Sequence, residues 1–504
     1  MTRKIAVIGG GPAGLYAARL LKRADPSLQV VVHERMDGAA QTFGFGVGLT
    51  ESTMRNLLAA DPETAEQIRA ASQVGHELRL KGSDGVVPLH GARNLAIGRA
   101  TLLNILTEAA TAVQVEIRRG AHADVASVDA DLVVAADGVG SATREKFAAD
   151  LGVRTSLGRT RFVWCGADFA VDSAFFCAVE QGESLFVAHA YPYAADRSTF
   201  LLEADETTWR SAGLGELDRQ VPAGQTDQAS VALLQEAFAR ELRGRPLLTN
   251  RTRWSRFTNL TLDRWWVENV VLLGDAAHTA HYTLGSGTKL AMEDAIALAQ
   301  ALAGEGSIGA AFAAYEDARR PAVERFKKLA HRSQAWWDSY RARHRWPIDR
   351  LALSYMTRSG NITLQHYLAD QPEAARRALS RLGDDVPADP AVIDDWVLGR
   401  PLDGGSRWRP RAELSPRTVP VRWTEPDVWG PAADETVRRL AAQDSAPILL
   451  TGDSGQDVPA RIDLAERLRL ELDREIGVEL PAQDRSVAAT AIAAGRVDFV
   501  VPAG

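Results

Sequence analysis

Ile5-Ala6-Val7-Ile8-Gly9-Gly10-Gly11-Pro12-Ala13-Gly14 is the stretch on which the fold turns. Its first residues are short, apolar and partly β-branched, the mark of a buried strand over 4–8. The glycines form a G-x-G-x-x-G. Gly9 permits a tight turn, Gly11 leaves no side chain in the way of a pyrophosphate, and Gly14 allows a helix to pack closely on the strand. Pro12 and Ala13 open that helix, and Leu15 to Leu21 continue it with an apolar period. Its N-terminus offers free N–H groups and the positive end of the helix dipole to phosphates. A second strand is expected over 29–34, ending in Glu34 with Arg35 beside it. Glu34 is placed for the hydroxyls of a ribose, which favours FAD or NAD over NADP. The bland alternative is a glycine-rich turn with no ligand.

Further along, the spacing predicts a helix over 99–113 and a buried strand over 131–136, followed directly by Asp137-Gly138. Another strand over 267–273 is followed by Gly274-Asp275-Ala276-Ala277-His278 and then by Gly285-Ser286-Gly287, which opens a helix. An aspartate at a strand's C-terminal end sits where α/β folds bind ligands. Either aspartate read singly is better explained as a helix N-cap, the commoner role of Asp before a helix. Together with the N-terminal loop, the three sites converge on one long cofactor.

Between 157 and 265 short aromatic and β-branched runs alternate with polar turns, which predicts a mostly antiparallel sheet inserted into the first domain. The expected order is a Rossmann-like first part over 1–156, a β-sheet substrate domain over 157–265, and the second part with a long helix over 266–345. A helical and linker region follows over 346–435, then an α/β extension over 436–504. The fold class is α/β.

Bulk composition restricts the function. The chain of 504 residues carries a net charge of -7, with no basic excess to suggest nucleic acid. Its two cysteines, Cys165 and Cys177, rule out a disulfide scaffold, fit a reducing cytoplasm and are too few for a zinc site. The apolar run after Met-Thr-Arg-Lys is too short for a signal peptide, and no stretch approaches the ~20 apolar residues of a membrane span. A cytoplasmic protein with no metal is expected.

These motifs resemble the FAD-dependent hydroxylases typified by p-hydroxybenzoate hydroxylase: the glycine loop, the DG motif and the GD motif occur in order across residues 1–345. Arg99, in Ile97-Gly98-Arg99, matches the family arginine that contacts FAD near its pyrophosphate. The GD stretch departs from the general pattern, with His281 where proline is usual and Gly285-Ser286-Gly287-Thr288 for the usual Gly-Gln-Gly-Asn. That variant is similar to the subgroup of salicyloyl-CoA 5-hydroxylase, 2-aminobenzoyl-CoA monooxygenase/reductase and the violacein-pathway hydroxylase. Leu185 to Tyr191 and Ser198-Thr199-Phe200 carry the same likeness. Residues 461–501 resemble the last turns of an old-yellow-enzyme barrel, which the CoA-specific relatives carry whole. About a hundred residues fall far short of the ~250 of such a barrel. The extension is therefore expected to hold no second flavin and to serve packing or homo-oligomer contacts.

The resemblance implies a monooxygenase in which NADPH or NADH reduces FAD, O2 adds to give a C4a-hydroperoxide, and one oxygen passes to an electron-rich ring. The cofactor carries the hard chemistry, so the protein's candidates are orienting groups: His189, Tyr191, His281 and Tyr282. A histidine beside the flavin ring could deprotonate a phenol or hydroxypyridine. A packed, hydrogen-bonded core histidine is an equally good reading. His278 is expected to support the GD turn, and Trp164, Phe186, Trp265 and Trp266 to be core. The expected substrate is a small phenol, indole or pyridinol in natural-product tailoring. An aromatic acyl-CoA thioester is the alternative, for which no clear basic cluster is visible. A non-catalytic binding protein on the flavin fold is the alternative from another class, and the halogenase signature W-x-W-x-I-P is missing.

Overall fold

The computed structural model describes residues 3–503 except 38–44, 92–93, 121–122, 223, 286, 305, 404, 444 and 454. The chain forms two compact units, one of residues 1–78 and 91–330, the other of 79–90 and 331–504.

The first unit is built on a parallel sheet. Its strands run in the order Glu116–Arg119, Gln29–Glu34, Lys4–Ile8, Leu132–Ala135 and Val270–Leu272, with Trp266–Val267 added antiparallel at the edge. Ile5, Val7, Val30, Val32 and residues 132–135 are buried, as expected where helices cover both faces of a parallel sheet. The helix Pro12–Ala24 has its proline at the first turn, where a missing N–H costs nothing. Ala17 and Ala18 are fully buried and let this helix pack against Gly287–Gly304 and Arg99–Ala112. Arg19, also on this helix, is buried with Asp61, its Nε donating to Oδ2 at 2.5 Å.

The inserted segment is antiparallel, as its alternation implies. The strand order within the first unit is Ser255–Thr261, Arg154–Ala167, Arg197–Ala204, Ser184–Ala194 and Ala174–Gln181. Period-two alternation gives this sheet two unlike faces. One buries Val163, Cys165, Cys177, Phe186, Phe200 and Leu202 with Leu234 and Phe238 from a helical layer. The register places Phe162 opposite Glu203, His189 opposite both Phe176 and Leu201, and Tyr191 opposite Thr199 on the other face.

In the second unit, helices Ile348–Thr357, Leu364–Asp370, Pro372–Leu379 and Ile393–Leu398 precede a four-stranded parallel sheet. Its strands Val419–Arg422, Ile448–Thr451, Ile476–Pro481 and Phe499–Ala503 lie in chain order with a helix in each crossover. Such an arrangement is half the strand count of a (β/α)8 barrel. Its first strand falls inside the region 346–435 expected to be helical and linker. Arg343 and Arg496 are buried with Glu466, each donating to it, at 2.7 and 2.8 Å. These guanidiniums hold the Glu466 carboxyl down at about 2 against the opposing effect of burial. Among the described residues, no helix is long and apolar enough to cross a membrane and no group of side chains could hold a metal ion.

Candidate active site

The nucleotide loop shows which glycines packing requires and which it does not. Gly9 has φ +106°, and a Cβ there would lie 2.3 Å from the Ala136 carbonyl oxygen. A Cβ on Gly14 would lie 2.0 Å from the Gly9 carbonyl oxygen. Both positions exclude any side chain. Gly11 is different: its φ is an ordinary -76°, and a Cβ would meet nothing within 4 Å. Open space, not packing, is what Gly11 preserves. Glu34 closes the loop's other side, accepting from the Gly10 N–H at 2.7 Å and the Met36 N–H at 2.8 Å. Arg35 lies exposed beyond it.

The three motifs meet. Gly9 abuts Asp137, and the position of a Cβ on Gly274 is 3.4 Å from the Ala13 Cβ. Arg144 ties the DG turn to the GD turn, donating to the Val139 carbonyl at 2.5 Å and to those of Ala276 and Asp275 at 3.2 and 3.4 Å. Asp137 accepts the Thr143 N–H through Oδ2 at 3.1 Å, while its buried Oδ1 has no hydrogen-bond partner among the described residues. Gly138 and Gly285, at φ +80° and +62°, also face open space. The Cβ position of Gly287 lies 3.7 Å from Asp275 Oδ1; Ser286, between these last two glycines, lies outside the described residues.

Asp275 is exposed to water, with its Oδ1 3.7 Å from the Cβ position of Gly287. Crowding raises its pKa, and the charges of His278 and Arg99 oppose that rise. Arg99 is therefore near enough to the GD aspartate for each to feel the other's charge. His278 does support the turn, with Nε2 2.7 Å from Asp294 Oδ2, the oxygen that also accepts the Gly274 N–H at 3.1 Å. Burial would raise the Asp294 pKa, but His278 and Arg319 hold it below the usual carboxylate range.

Next to the GD turn, residues 281–284 lie against the second face of the antiparallel sheet. The Tyr282 ring is 4.9 Å from Phe162 and 6.0 Å from Trp164 and Phe257; Phe257 is 4.7 Å from His281. His281 stacks on Tyr282 at 4.1 Å, and its Nδ1 is 3.1 Å from Thr283 Oγ1. In this aromatic wall sits one buried acid, Glu203. The Tyr282 hydroxyl donates to its Oε1 at 2.6 Å, and His189 Nε2 is 3.3 Å from its Oε2. Burial alone would raise the Glu203 pKa; His189, the Tyr282 hydroxyl and His281 bring it below the usual range. A carboxylate here thus aligns a phenol and an imidazole within an otherwise apolar surface. Tyr191 has another role. Its hydroxyl donates to the Gly46 carbonyl at 2.7 Å, and burial pushes its pKa up to about 12, so it stays a neutral clamp on the strand Gly46–Thr50.

His281, Tyr282 and His189 are therefore brought together around Glu203, while Tyr191, on the same sheet face, donates to Gly46 instead. Phe186 and Trp265 are core, whereas Trp164 belongs to the site wall. Glu203, Arg144, Phe162, Phe176 and Phe257 escape a reading of the sequence. The one available signal was a glutamate at an inward position of Phe200-Leu201-Leu202-Glu203-Ala204.

The glycine openings, the unused Asp137 oxygen as acceptor and the N–H donors of a helix N-terminus fit flavin adenine dinucleotide. The profile of a family described as "FAD binding domain" matches residues 2–124 and 89–330. The chain is 34% identical over 521 residues to salicyloyl-CoA 5-hydroxylase of Streptomyces sp, covering 99% of each chain. It is 38% identical over 360 residues to 3-hydroxy-4-methyl-anthranilyl-[aryl-carrier protein] 5-monooxygenase of Streptosporangium sibiricum, covering 71% of this chain and 95% of that one. Protodeoxyviolaceinate monooxygenase of Chromobacterium violaceum is 30% identical over 348 residues, covering 68% and 90%. The fold matches 2-methyl-3-hydroxypyridine-5-carboxylic acid oxygenase with a TM-score of 0.54 at 22% identity, over 75% of this chain and 97% of that one. The match to the salicyloyl-CoA enzyme extends through the C-terminal extension, so a shortened barrel does not separate this chain from a CoA-specific relative. On its converging motifs and these likenesses, the chain belongs to the FAD binding domain family and is an FAD-dependent aromatic-ring monooxygenase.

Proposed function

We propose that the ring it hydroxylates carries a hydroxyl or amino group and is presented as an aryl thioester, in a natural-product tailoring step. The observation that carries this reading is the Glu203–Tyr282–His189 group set in the aromatic wall. The thioester part is supported by two relatives, named for a CoA thioester and for a carrier-protein-bound aryl group. Position 5 in both names is para to the substituent ortho to the carbonyl, where a donor group concentrates electron density.

In this reading Gly9, Gly11, Pro12, Ala13 and Gly14 hold the pyrophosphate with Arg99 nearby, and Glu34 holds the adenosine ribose. Asp137, Gly138, Gly274 and Asp275 receive the ribitol side, and the N–H groups at Gly285 and Gly287 meet the polar edge of the flavin ring. Arg35 adds a cation at the adenosine end. When bound, FAD takes electrons from NADPH or NADH, activates O2 and supplies the single oxygen atom that reaches the ring. The protein's own tasks are to bind, orient and exclude water. Phe162, Trp164, Phe257 and the His281 ring present an apolar surface to the substrate. The Glu203 carboxylate fixes the direction of the Tyr282 hydroxyl and holds His189. Those two groups can then share a hydrogen bond with the substrate's hydroxyl or amine and draw its proton away, enriching the ring.

The test is coupled NADPH or NADH consumption with salicyloyl-CoA, 2-aminobenzoyl-CoA, the free acids, indoles and hydroxypyridines, with product mass read in parallel. A gain of one oxygen on a thioester, and little on the free acid, supports the proposal. Turnover confined to an unactivated ring refutes the thioester part. Consumption stimulated by no aromatic compound would favour a binding protein on this fold. A tetrameric form of the pyridine-carboxylic acid oxygenase makes a homo-oligomer the assembly to look for by light scattering.

A further inference from the structure

Four arginines of the second unit crowd one turn. Residues 492–498 join the helix Arg485–Ala493 to the last strand. Arg381 donates to the Ile492 and Ala493 carbonyls at 2.9 and 2.8 Å, and Arg407 to the Asp498 carbonyl at 2.7 Å. Arg469 donates to the Gly495 carbonyl and pairs with the Asp498 carboxylate at 2.8 Å. Arg350 lies flat on Trp346, 3.7 Å from the ring centre. Arg350 and Arg469 converge, reaching within 3.2 and 3.5 Å of the place a Cβ on Gly495 would occupy.

Main-chain capping accounts for only part of this. Among the described residues Arg350, Arg381 and Arg407 have no carboxylate in ion-pair contact, and the buried Nε atoms of Arg350 and Arg407 have no hydrogen-bond partner. The acids facing the group are Asp498 and Glu475. The Glu475 carboxyl is pushed up to about 7 by burial and by Asp403 and Asp498, so it is a weak counter-charge. Arg381 is exposed to water, so the cluster is open to a dissolved ligand. Burial and the neighbouring guanidiniums push Arg350 down to about 10 and Arg381 to about 9. An uncompensated cluster of this kind is stabilised by an anion, and the guanidinium's planar fork matches phosphate oxygens.

We propose that Arg350, Arg381, Arg407 and Arg469 form a binding site for the phosphate groups of a nucleotide-type ligand. Two sources share that chemistry: the phosphorylated adenosine of a CoA thioester, and NADPH. The site does not depend on the thioester reading, since an enzyme that oxidises only free acids could still bind phosphates here.

The test is titration calorimetry of the flavin-loaded full chain with coenzyme A, adenosine 3′,5′-bisphosphate, NADPH, NADH and inorganic pyrophosphate. Wild type should bind at least one of the nucleotides, and Arg350→Gln and Arg381→Gln should each weaken that binding about tenfold or more, as loss of one charge-assisted contact implies. Flavin content and thermal unfolding of each variant report an intact fold, and Arg381→Gln serves if Arg350→Gln does not purify. Selective loss of coenzyme A and bisphosphate binding assigns the site to the CoA source; selective loss of NADPH assigns it to the coenzyme. Nucleotide binding unchanged in both variants, or wild-type binding of pyrophosphate alone, overturns the proposal.

Discussion

Replacing Glu203 by glutamine tests the site at its least dispensable point. The side chain keeps its shape, so the aromatic wall should stand. The change removes one negative charge from a residue that is only 2% exposed and lies 2.6 Å from the Tyr282 hydroxyl and 3.3 Å from His189. A hydrogen bond to a charged partner contributes about 1.5–3 kcal/mol and a neutral one about 1 kcal/mol. The difference, about 0.5–2 kcal/mol, is roughly a two- to thirtyfold change in an equilibrium or rate constant. If Glu203 orients Tyr282 and His189 toward the ring substituent, kcat for the aromatic substrate should fall by that factor. Flavin content should stay at the wild-type level, because Glu203 is on the sheet face and not in the glycine turns. The fraction of NADPH consumption lost as hydrogen peroxide should rise, since a poorly oriented ring accepts oxygen less often. Tyr282→Phe should fall in the same range, and the double variant should lose less than the product of the two, because both changes break one bond. An E203Q enzyme with wild-type kcat, pH profile and coupling would refute the role. So would one that lost its flavin.

Gly11→Val and Gly9→Ala should separate binding from folding. The Gly11 backbone suits any residue and its Cβ meets open space, so the valine variant should fold with normal circular dichroism and purify colourless; a yellow G11V protein would refute the loop assignment. Gly9→Ala puts a methyl 2.3 Å from the Ala136 carbonyl oxygen at φ +106°, and should give little soluble protein in expression trials. Asp61→Ala leaves the buried Arg19 with Glu63, at 2.7 Å, as its remaining carboxylate, and should cost less in urea unfolding than the about 3–5 kcal/mol of a fully unpaired buried charge. Asp61 and Asp294 are both carboxylates whose pKa the fold lowers against the opposing effect of burial, through Arg19 and through His278 respectively. Their stabilisation is therefore complete above the unfolded aspartate value of about 3.9 and is lost as pH falls further through the folded values. Asp294→Asn should flatten that acid limb of a stability–pH curve measured by thermal unfolding.

What could be read along the chain was whatever depends on neighbours in sequence. A run of buried apolar residues makes a strand of the parallel sheet, and a turn that excludes Cβ demands glycine. Gly9, Gly14 and Gly274 are legible for that reason, and the aspartates after their strands follow from strand position. Alternation in Arg154–Ala204 likewise shows which residues share a face. It does not show which face is core, because Trp164 and Phe186 are both aromatics in alternating strands. Only the register against three other strands, and the arrival of residues 281–284, sort one into the site and the other under the helices.

Glu203 was hidden for a related reason: its partners His189 and Tyr282 lie 14 and 79 positions away, and no local period links them. The arginine cluster is the clearest case. Its members come from positions 350, 381, 407 and 469 of a chain with net charge -7, so composition gives no sign of the cluster and no short window of sequence holds all four. Local steric rules act between near neighbours and are written into the order of residues. Electrostatic clusters are made by distance in space, which the folded chain alone decides.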